Sequence, residues 1–252
     1  MKNKLFAVAT AIGTVSAVYA LTRQFASVCK INVPQGLTVT AHTGCERTKD
    51  NSLDAITFGF GYGADIVEFD LNFDNEGNAV LSHDAPGSRK CVTLDEAFAL
   101  VSGYNKLKVN VDVKSTEYLE KVVLTAERYG ISDRIFFTGI ERDKVDTVKE
   151  KAPGVEYYLN VRVDSSKKDD AGYISGLVTE VKEAGACGIN LQHRGCSQLL
   201  VNELHKNELL VSVWTVNNRA DMRKMLSLGV DNITTRKIKA LKEMIEAASV
   251  LK

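Results

Sequence analysis

Short segments rich in β-branched residues alternate with longer segments of helical periodicity from residue 36 onward, and this alternation constrains the fold more than any other feature. Strands are predicted at eight segments, residues 36–42, 64–71, 108–113, 134–139, 155–161, 187–192, 209–216 and 230–235. Helices are predicted at residues 52–63, 94–103, 116–130, 142–152, 170–185, 197–207, 219–229 and 237–252. Strands that are each followed by a helix pair in parallel through right-handed crossovers. Eight such units in 252 residues favour an α/β fold of the (βα)8, or TIM barrel, type over an open doubly wound sheet.

One connection departs from the simple alternation. After the second predicted strand, turn residues DNEGN occupy positions 74–78, and a short extended segment at 79–84 precedes the next helix. We therefore predict a small hairpin inserted on the C-terminal side of the second strand.

The first residues differ in composition from the rest of the chain. After MKNK, residues 5–21 are largely apolar, VYA at 18–20 offers small residues for cleavage, and Arg23 closes the run. This is the layout of a signal peptide or a signal anchor, although the run is at the short limit for crossing a bilayer. We predict that residues 1–35 are a targeting or anchoring segment, and that the barrel at 36–252 is secreted or tethered to a membrane. A soluble cytosolic start is the alternative.

The charges of the chain are balanced. Lysine and arginine together number 32, and aspartate and glutamate also number 32. No overall field therefore draws the protein to nucleic acid, and any site for an anion must be local. We expect a small-molecule partner and no nucleic acid.

The cysteines do not form a metal-binding motif. None of the five has C-x-x-C spacing, which argues against a zinc site; they are Cys29, Cys45, Cys91, Cys187 and Cys196. If the domain is exported, Cys45 and Cys91 could bridge two loops, and free thiols are the alternative.

Two carboxylates interrupt an apolar predicted strand. Glu68 and Asp70 are two residues apart and share one face, which near the end of the second strand points into the barrel mouth. Asp112 occupies the matching late position of the next strand. Three oxygen ligands without a cysteine or histidine cage suit one hard divalent ion, Mg²⁺ or Ca²⁺. Solvated strand ends or salt-bridge partners are the alternative interpretation.

Two of the four histidines fall at the same predicted end of the barrel. His42 ends the first strand and His83 follows the hairpin. Beside a metal they would form an acid–base pair suited to cleaving a phosphodiester, one accepting a proton and the other protonating the leaving alcohol. Lys114, two residues past Asp112 on the same face, could neutralise the phosphate.

The motifs in combination resemble the glycerophosphodiester phosphodiesterase family. The family's A-H-R-G, P-E-N-T, G-A-D-x-I-E-x-D-V and H-D stand here as AHTG, KDNS, GADIVEFDL and SHD. Downstream, VNVDVK resembles the family's I-E-I-K, and VSVWTVNNRADMRKMLSLGVDNITT resembles its late W-T-V-N and G-V-D-G-I-x-T-D. The similarity spans residues 38–236.

The resemblance implies a metal-dependent hydrolase of glycerophosphodiesters and assigns roles to single residues. It gives the acid–base roles to His42 and His83 and the metal to Glu68, Asp70 and Asp112. It places three further residues at the substrate: Lys114, Asp50 on the glutamate of P-E-N-T, and Trp214, for which packing of the barrel end is an equal alternative. Which histidine is the base, and whether water or a vicinal hydroxyl of the substrate attacks, stay open.

The chain departs from the family pattern at two places. Thr43 replaces the arginine expected to hold phosphate, and the later T-D-x-P is TRKI, with Arg236 and Ile238 in place of the acid and the proline. Loss of a bidentate donor should weaken turnover or alter substrate choice. We therefore consider Arg194, in LQHRG, or Arg236 as a replacement from another loop, against the alternative that Arg194 is simply solvated.

These departures keep two further functions open. Sphingomyelinase-D-like phospholipases also lack the arginine and the P-E-N-T box and have an aspartate at the third ligand, so a phospholipase D acting on phospholipids or lysophospholipids is one. A non-catalytic barrel that binds phosphodiesters is the other. The retained DNS and the compact length favour glycerophosphodiesters.

Overall fold

The computed structural model describes residues 33–250. The strands are β1 (Thr38–Ala41), β2 (Ile66–Phe73), β3 (Ala79–Leu81), β4 (Lys108–Val113), β5 (Ile135–Ile140), β6 (Tyr157–Val161), β7 (Gly188–Gln192), β8 (Leu210–Trp214) and β9 (Asn232–Thr235). The helices are α1 (Leu53–Gly61), α2 (Leu94–Ser102), α3 (Glu120–Arg128), α4 (Val145–Lys151), α5 (Ala171–Ala184), α6 (Gln198–Lys206), α7 (Arg219–Leu228) and α8 (Ile238–Val250).

Eight of these strands close into a parallel ring. Their order is β1-β9-β8-β7-β6-β5-β4-β2, and β1 also pairs with β2, which closes the barrel. The predicted (βα)8 barrel is confirmed. The short strand β3 pairs antiparallel with β2, with Leu81 opposite Leu71, and forms a hairpin at the C-terminal end of β2.

Alternation along β2 explains how an apolar strand carries two acids. Val67, Phe69 and Leu71 are buried in the apolar core that includes the helices. Because side chains alternate between the two faces of a strand, Glu68 and Asp70 point to the inside of the barrel. The same pattern repeats in β4, where valines alternate with polar residues.

The inside of the barrel holds a chain of polar side chains. Thr40 donates to Asn232 (2.8 Å), Asn232 to Ser212 (3.0 Å), Ser212 to Asn190 (2.9 Å) and Asn190 to Asn160 (3.1 Å). Interiors of such barrels are usually filled by branched apolar residues. Here hydrogen bonds between strands satisfy the buried polar groups, and this feature was not predicted.

Helix boundaries follow local capping chemistry. Thr93 and Glu96 form a capping box at the start of α2, and Gly185 (φ 71°) and Gly229 (φ 81°) end α5 and α7 in the left-handed conformation. Most predicted boundaries agree to within a few residues. The strand predicted at 209–216 ends at Trp214, after which the chain leaves the sheet.

The bridge considered between Cys45 and Cys91 is not formed. Cys45 is buried and its Sγ donates to the carbonyl of Ala55 in α1 at 3.3 Å. The cysteines at 45, 91, 187 and 196 are free thiols. Cys29 lies outside the described residues.

The apolar run at 5–21 also lies outside the described residues, so the targeting segment stays a prediction. Within residues 33–250, none of the helices combines the length and the apolar character needed to cross a bilayer.

Candidate active site

The C-terminal ends of the strands open into a cavity of about 420 Å³. Its lining includes almost every residue proposed from the sequence, namely His42, Asp50, Glu68, Asp70, His83, Asp112, Lys114 and Trp214. The barrel thus brings together side chains from β2, β4, β8 and the connecting loops. Of the two arginines considered as replacements, Arg236 lines the cavity and Arg194 does not.

Three carboxylates converge at one side of this cavity. One oxygen of each of Glu68, Asp70 and Asp112 lies within 4.8 Å of the others. Asp70 and Asp112 are register partners on β2 and β4. Burial raises the pKa of Glu68 well above its ordinary value, and the charges of Asp70 and Asp112 raise it further. Burial and the neighbouring acids therefore favour the protonated form of Glu68 unless positive charge is added.

Lys114 contacts two of these acids. Its Nζ lies 2.9 Å from Oδ1 of Asp70 and 2.6 Å from Oδ2 of Asp112. Although burial disfavours the ammonium, the two carboxylates hold the pKa of Lys114 above its ordinary value. Lys114 is therefore charged, and in this structure its charge is directed at the acids.

Backbone and amide groups orient the acids from the loop after β1. The amide N–H of Thr43 donates to Oε2 of Glu68 (2.8 Å), and Nδ2 of Asn51 donates to Oδ2 of Asp70 (2.9 Å). The Asp70 N–H donates back to Oδ1 of Asn51 at 3.0 Å, and Asn51 has a positive φ of 54°. No role for Asn51 was predicted, although it is the asparagine of the DNS segment that matches the family's P-E-N-T box.

The two histidines have different surroundings. Nδ1 of His42 lies 2.8 Å from the carbonyl oxygen of Thr43 and 3.9 Å from Oε2 of Glu68. Burial lowers the pKa of His42, and the nearby charge of Arg236 also lowers it. His83 is exposed, and its Nδ1 lies 2.8 Å from Oδ1 of Asp84. That hydrogen bond lowers the pKa of the Asp84 carboxyl.

An ion pair crosses the rim beside His42. Both Nη atoms of Arg236 bond to Asp50, at 2.7 and 3.1 Å. The pair lies against Gly44, whose φ is +70° and where an added Cβ would fall 2.8 Å from Nη1 of Arg236. Only glycine leaves room for it.

Arg194 is directed elsewhere. It belongs to the short 3-10 turn His193–Gly195 after β7, is exposed, and contributes its charge to the surroundings of Asp221. Arg194 is therefore not among the residues that line the cavity, and a role for it in holding phosphate stays a prediction.

Lys144 and Gly139 were not foreseen. Nζ of Lys144 donates to the carbonyls of Val113 (3.0 Å) and Gly139 (2.8 Å), and the lysine lines the cavity. Gly139 has φ +73°, and an added Cβ would lie 2.4 Å from Oδ1 of Asp112. A lysine in the first turn of a predicted helix is usually a solvated charge, so nothing in the sequence distinguished Lys144.

Trp214 stands at the end of β8 with 37% of its surface exposed. It lines both the cavity and a neighbouring one of about 420 Å³ that also includes Arg162 and Gln192. An aromatic ring in this position can contact a ligand in the cavity and also pack against the end of the barrel.

The fold and the site define a class, that of (βα)8 barrel enzymes with acids and histidines gathered at the C-terminal mouth. Residues 89–240 match the Glycerophosphoryl diester phosphodiesterase family. The chain belongs to this family.

Individual relatives agree with this assignment. A glycerophosphodiester phosphodiesterase of Bacillus altitudinis is 22% identical over 248 residues, covering 82% of this chain and 98% of that protein. The fold matches a glycerophosphodiester phosphodiesterase of Parabacteroides distasonis (TM-score 0.67, 17% identity, 86% and 98% of the two chains). It also matches an Oleispira antarctica phosphodiesterase in complex with the product sn-glycerol-3-phosphate (TM-score 0.68, 18% identity, 85% and 97%).

Proposed function

We propose that this protein is a metal-dependent phosphodiesterase that hydrolyses glycerophosphodiesters to glycerol phosphate and an alcohol. The observation that carries the proposal is the convergence of Glu68, Asp70 and Asp112 beside His42 in a chain of this family. The name of the Bacillus altitudinis relative and the product held by the Oleispira antarctica protein support the same substrate class.

The three carboxylates are the residues that would hold a divalent cation. Their oxygens are hard donors within 4.8 Å of one another, a set that suits Mg²⁺ or Ca²⁺. The raised pKa of Glu68 supports the fit, because a buried acid beside Asp70 and Asp112 is stabilised as a carboxylate by added positive charge. When bound, such an ion supplies Lewis-acid polarisation of the phosphoryl group.

Hydrogen bonding of His42 suits the general base. The carbonyl oxygen of Thr43 only accepts, so Nδ1 of His42 carries the hydrogen and Nε2 is left as the acceptor. Burial lowers the pKa of His42, which keeps the imidazole neutral near pH 7. His42 therefore takes a proton from the attacking hydroxyl at Nε2.

His83 suits the general acid. Its Nδ1 donates to the carboxylate of Asp84, which orients the ring and leaves Nε2 as the atom that can act on the substrate. The protonated Nε2 then delivers a proton to the leaving alcohol. Lys114, Trp214 and Asp50 line the same cavity as the two histidines and would contact the substrate there.

A diester panel tests this function. Glycerophosphocholine and glycerophosphoethanolamine are incubated with and without Mg²⁺ or Ca²⁺, and ³¹P NMR identifies glycerol phosphate or a cyclic phosphate. His42→Ala should lose about 10²–10⁴-fold in turnover. His205→Ala is the matched control, because His205 pairs with Asp231 away from the cavity lining and should retain wild-type turnover.

Adding lysophosphatidylcholine to this panel separates the phospholipase D and binding-barrel alternatives. Choline release from lysophosphatidylcholine in preference to glycerophosphocholine would favour the phospholipase D alternative. Absence of metal-dependent turnover of every diester would leave a binding barrel and contradict the proposal.

The targeting role of residues 1–35 is proposed from their sequence alone. We infer that the full chain is exported or tethered. Fractionation of cells that produce the full chain tests this, and recovery of the intact chain solely in the cytosol would contradict it.

A further inference from the structure

We propose that Arg236 is the phosphate-binding arginine of this site, and that the phosphate of the substrate replaces the carboxylate of Asp50 as its partner. The proposal rests on the function proposed above and adds a specific residue to it.

The other cations of the cavity are already engaged. Among residues 33–250, the lysines and arginines that line it are Lys114, Lys144 and Arg236. Lys114 bonds to buried acids, and Lys144 bonds to two backbone carbonyls. Arg236 differs, because its partner Asp50 is a half-exposed carboxylate at the rim (53% of the side chain).

The position of Arg236 also fits the role. Its guanidinium lies against Gly44, directly after Thr43, which stands where the family motif has its arginine. Its positive charge reaches His42, since it contributes to the lowered pKa of that imidazole. The guanidinium of Arg236, which follows β9, therefore lies where the loop after β1 has Thr43 in place of an arginine.

The backbone of Arg236 is held while its side chain is exchangeable. The Arg236 N–H donates to Oδ1 of Asn217 (2.9 Å), and its carbonyl accepts from the N–H of Glu46 (2.9 Å). The guanidinium itself bonds to Asp50 through both Nη atoms. The pair lies at the half-exposed rim, where solvent screens it, and a phosphate of like charge can take both guanidinium bonds that Asp50 gives up.

A phosphodiester offers the chemistry that a carboxylate offers. It carries one negative charge on two non-bridging oxygens, and a guanidinium fork bonds both at once. Asp50 and the phosphate therefore compete for the same donors. Removing Asp50 should therefore strengthen phosphate binding, whereas removing Arg236 should weaken it.

The test uses inorganic phosphate as the probe on the full chain with Mg²⁺. Its inhibition constant against glycerophosphocholine hydrolysis and its dissociation constant by calorimetry are measured for wild type, Arg236→Gln, Asp50→Asn and Lys239→Gln. Arg236→Gln should weaken phosphate binding about tenfold or more, whereas Asp50→Asn should tighten it about threefold. Lys239→Gln removes an equal charge three residues along the chain, outside the cavity lining, and should stay within about twofold of wild type.

Two results would overturn the proposal. The first is unchanged phosphate binding by Arg236→Gln. The second is weaker phosphate binding by both Arg236→Gln and Asp50→Asn, because an ion pair that only joins two loops predicts weaker binding when either partner is removed. Arg236→Lys is the second variant if the glutamine variant does not fold, and it should weaken binding because the fork is lost. A wild-type protein that binds phosphate but hydrolyses no diester would defeat the proposed function, and calorimetry would still decide the role of Arg236.

Discussion

Asp70 and Asp112 face each other as register partners on β2 and β4, with the Lys114 ammonium 2.9 Å from one carboxylate and 2.6 Å from the other. Parallel pairing, and not a loop, therefore sets their separation. A slip of one residue in this register would turn one acid to the opposite face. Two of the three candidate metal ligands are thus held by paired strands and not by loops.

The first prediction concerns the balance between stability and metal binding. Asp112→Asn relieves repulsion among the three acids but also removes one partner of Lys114, so the free energy of unfolding of the metal-free protein should change by no more than about 1 kcal/mol. It should also abolish stabilisation by Mg²⁺, which for wild type reaches about 2.7 kcal/mol at a hundredfold excess over Kd. Thermal denaturation with and without Mg²⁺ measures both. Asp95→Asn, an exposed acid paired with Arg128, is the control and should keep the metal response.

The second prediction is a pH dependence of stability caused by Glu68. An acid whose pKa is raised on folding binds more protons in the folded than in the unfolded protein, so the free energy of unfolding falls as the pH rises above the ordinary value of 4.5. Glu68→Gln should remove this contribution. Urea unfolding of both proteins in EDTA across a pH series gives the difference, and an identical slope for the two would contradict the prediction.

The third prediction concerns the close approach of Gly139 to Asp112. Gly139→Ala places a Cβ 2.4 Å from Oδ1 of Asp112, so the carboxylate must move, and Mg²⁺ binding and turnover should both fall at least about tenfold. Gly154→Ala separates this effect from backbone strain, because Gly154 has φ +82° with no atom within 4 Å of the added Cβ. It should cost about 1–2 kcal/mol of stability and leave metal binding intact. Equal metal affinities in the two variants would refute the steric explanation.

The fourth prediction tests the polar chain inside the barrel. Asn190→Ala removes the acceptor of the Ser212 hydroxyl and one of the two donors to Oδ1 of Asn160, and should cost about 1–3 kcal/mol in unfolding free energy. The exposed Asn202→Ala on α6 should change it by less than about 0.5 kcal/mol. Chemical denaturation compares the two, and equal small losses would mean that the buried hydrogen bonds contribute no net stability.

The fifth prediction concerns thiol reactivity. Burial raises the pKa of Cys45 to about 11 and those of Cys187 and Cys196 to about 12, so these thiols resist alkylation in the native state. In a Cys29→Ser background, iodoacetamide at pH 8 should label Cys91 first. Peptide mapping by mass spectrometry reads the order, and a Cys45–Cys91 disulfide in exported protein would contradict it.

Much of the barrel and its acidic cluster could be predicted because both depend on local patterns. Strand periodicity places Glu68 and Asp70 on one face, and a late acid in the neighbouring strand must meet them at the C-terminal edge. The histidines at the ends of the first two barrel segments follow from the same logic, and all of these side chains line one cavity.

Features that join distant loops could not be predicted. The Asp50–Arg236 pair links residues 186 positions apart through a loop path that no periodicity describes. The contact of Lys144 with Gly139 depends on a left-handed turn at the end of β5. The hydrogen-bonded chain of polar side chains through Asn190 could not be predicted, because strand propensity does not say which polar residues of different strands contact each other.

Location of a bound cation tests the central claim most directly. Crystals grown with Ca²⁺ and measured by anomalous diffraction should show one peak about 2.3–2.6 Å from oxygens of Glu68, Asp70 and Asp112. A protein that hydrolyses glycerophosphodiesters only with added metal, but whose anomalous peak lies away from these three carboxylates, would contradict the account.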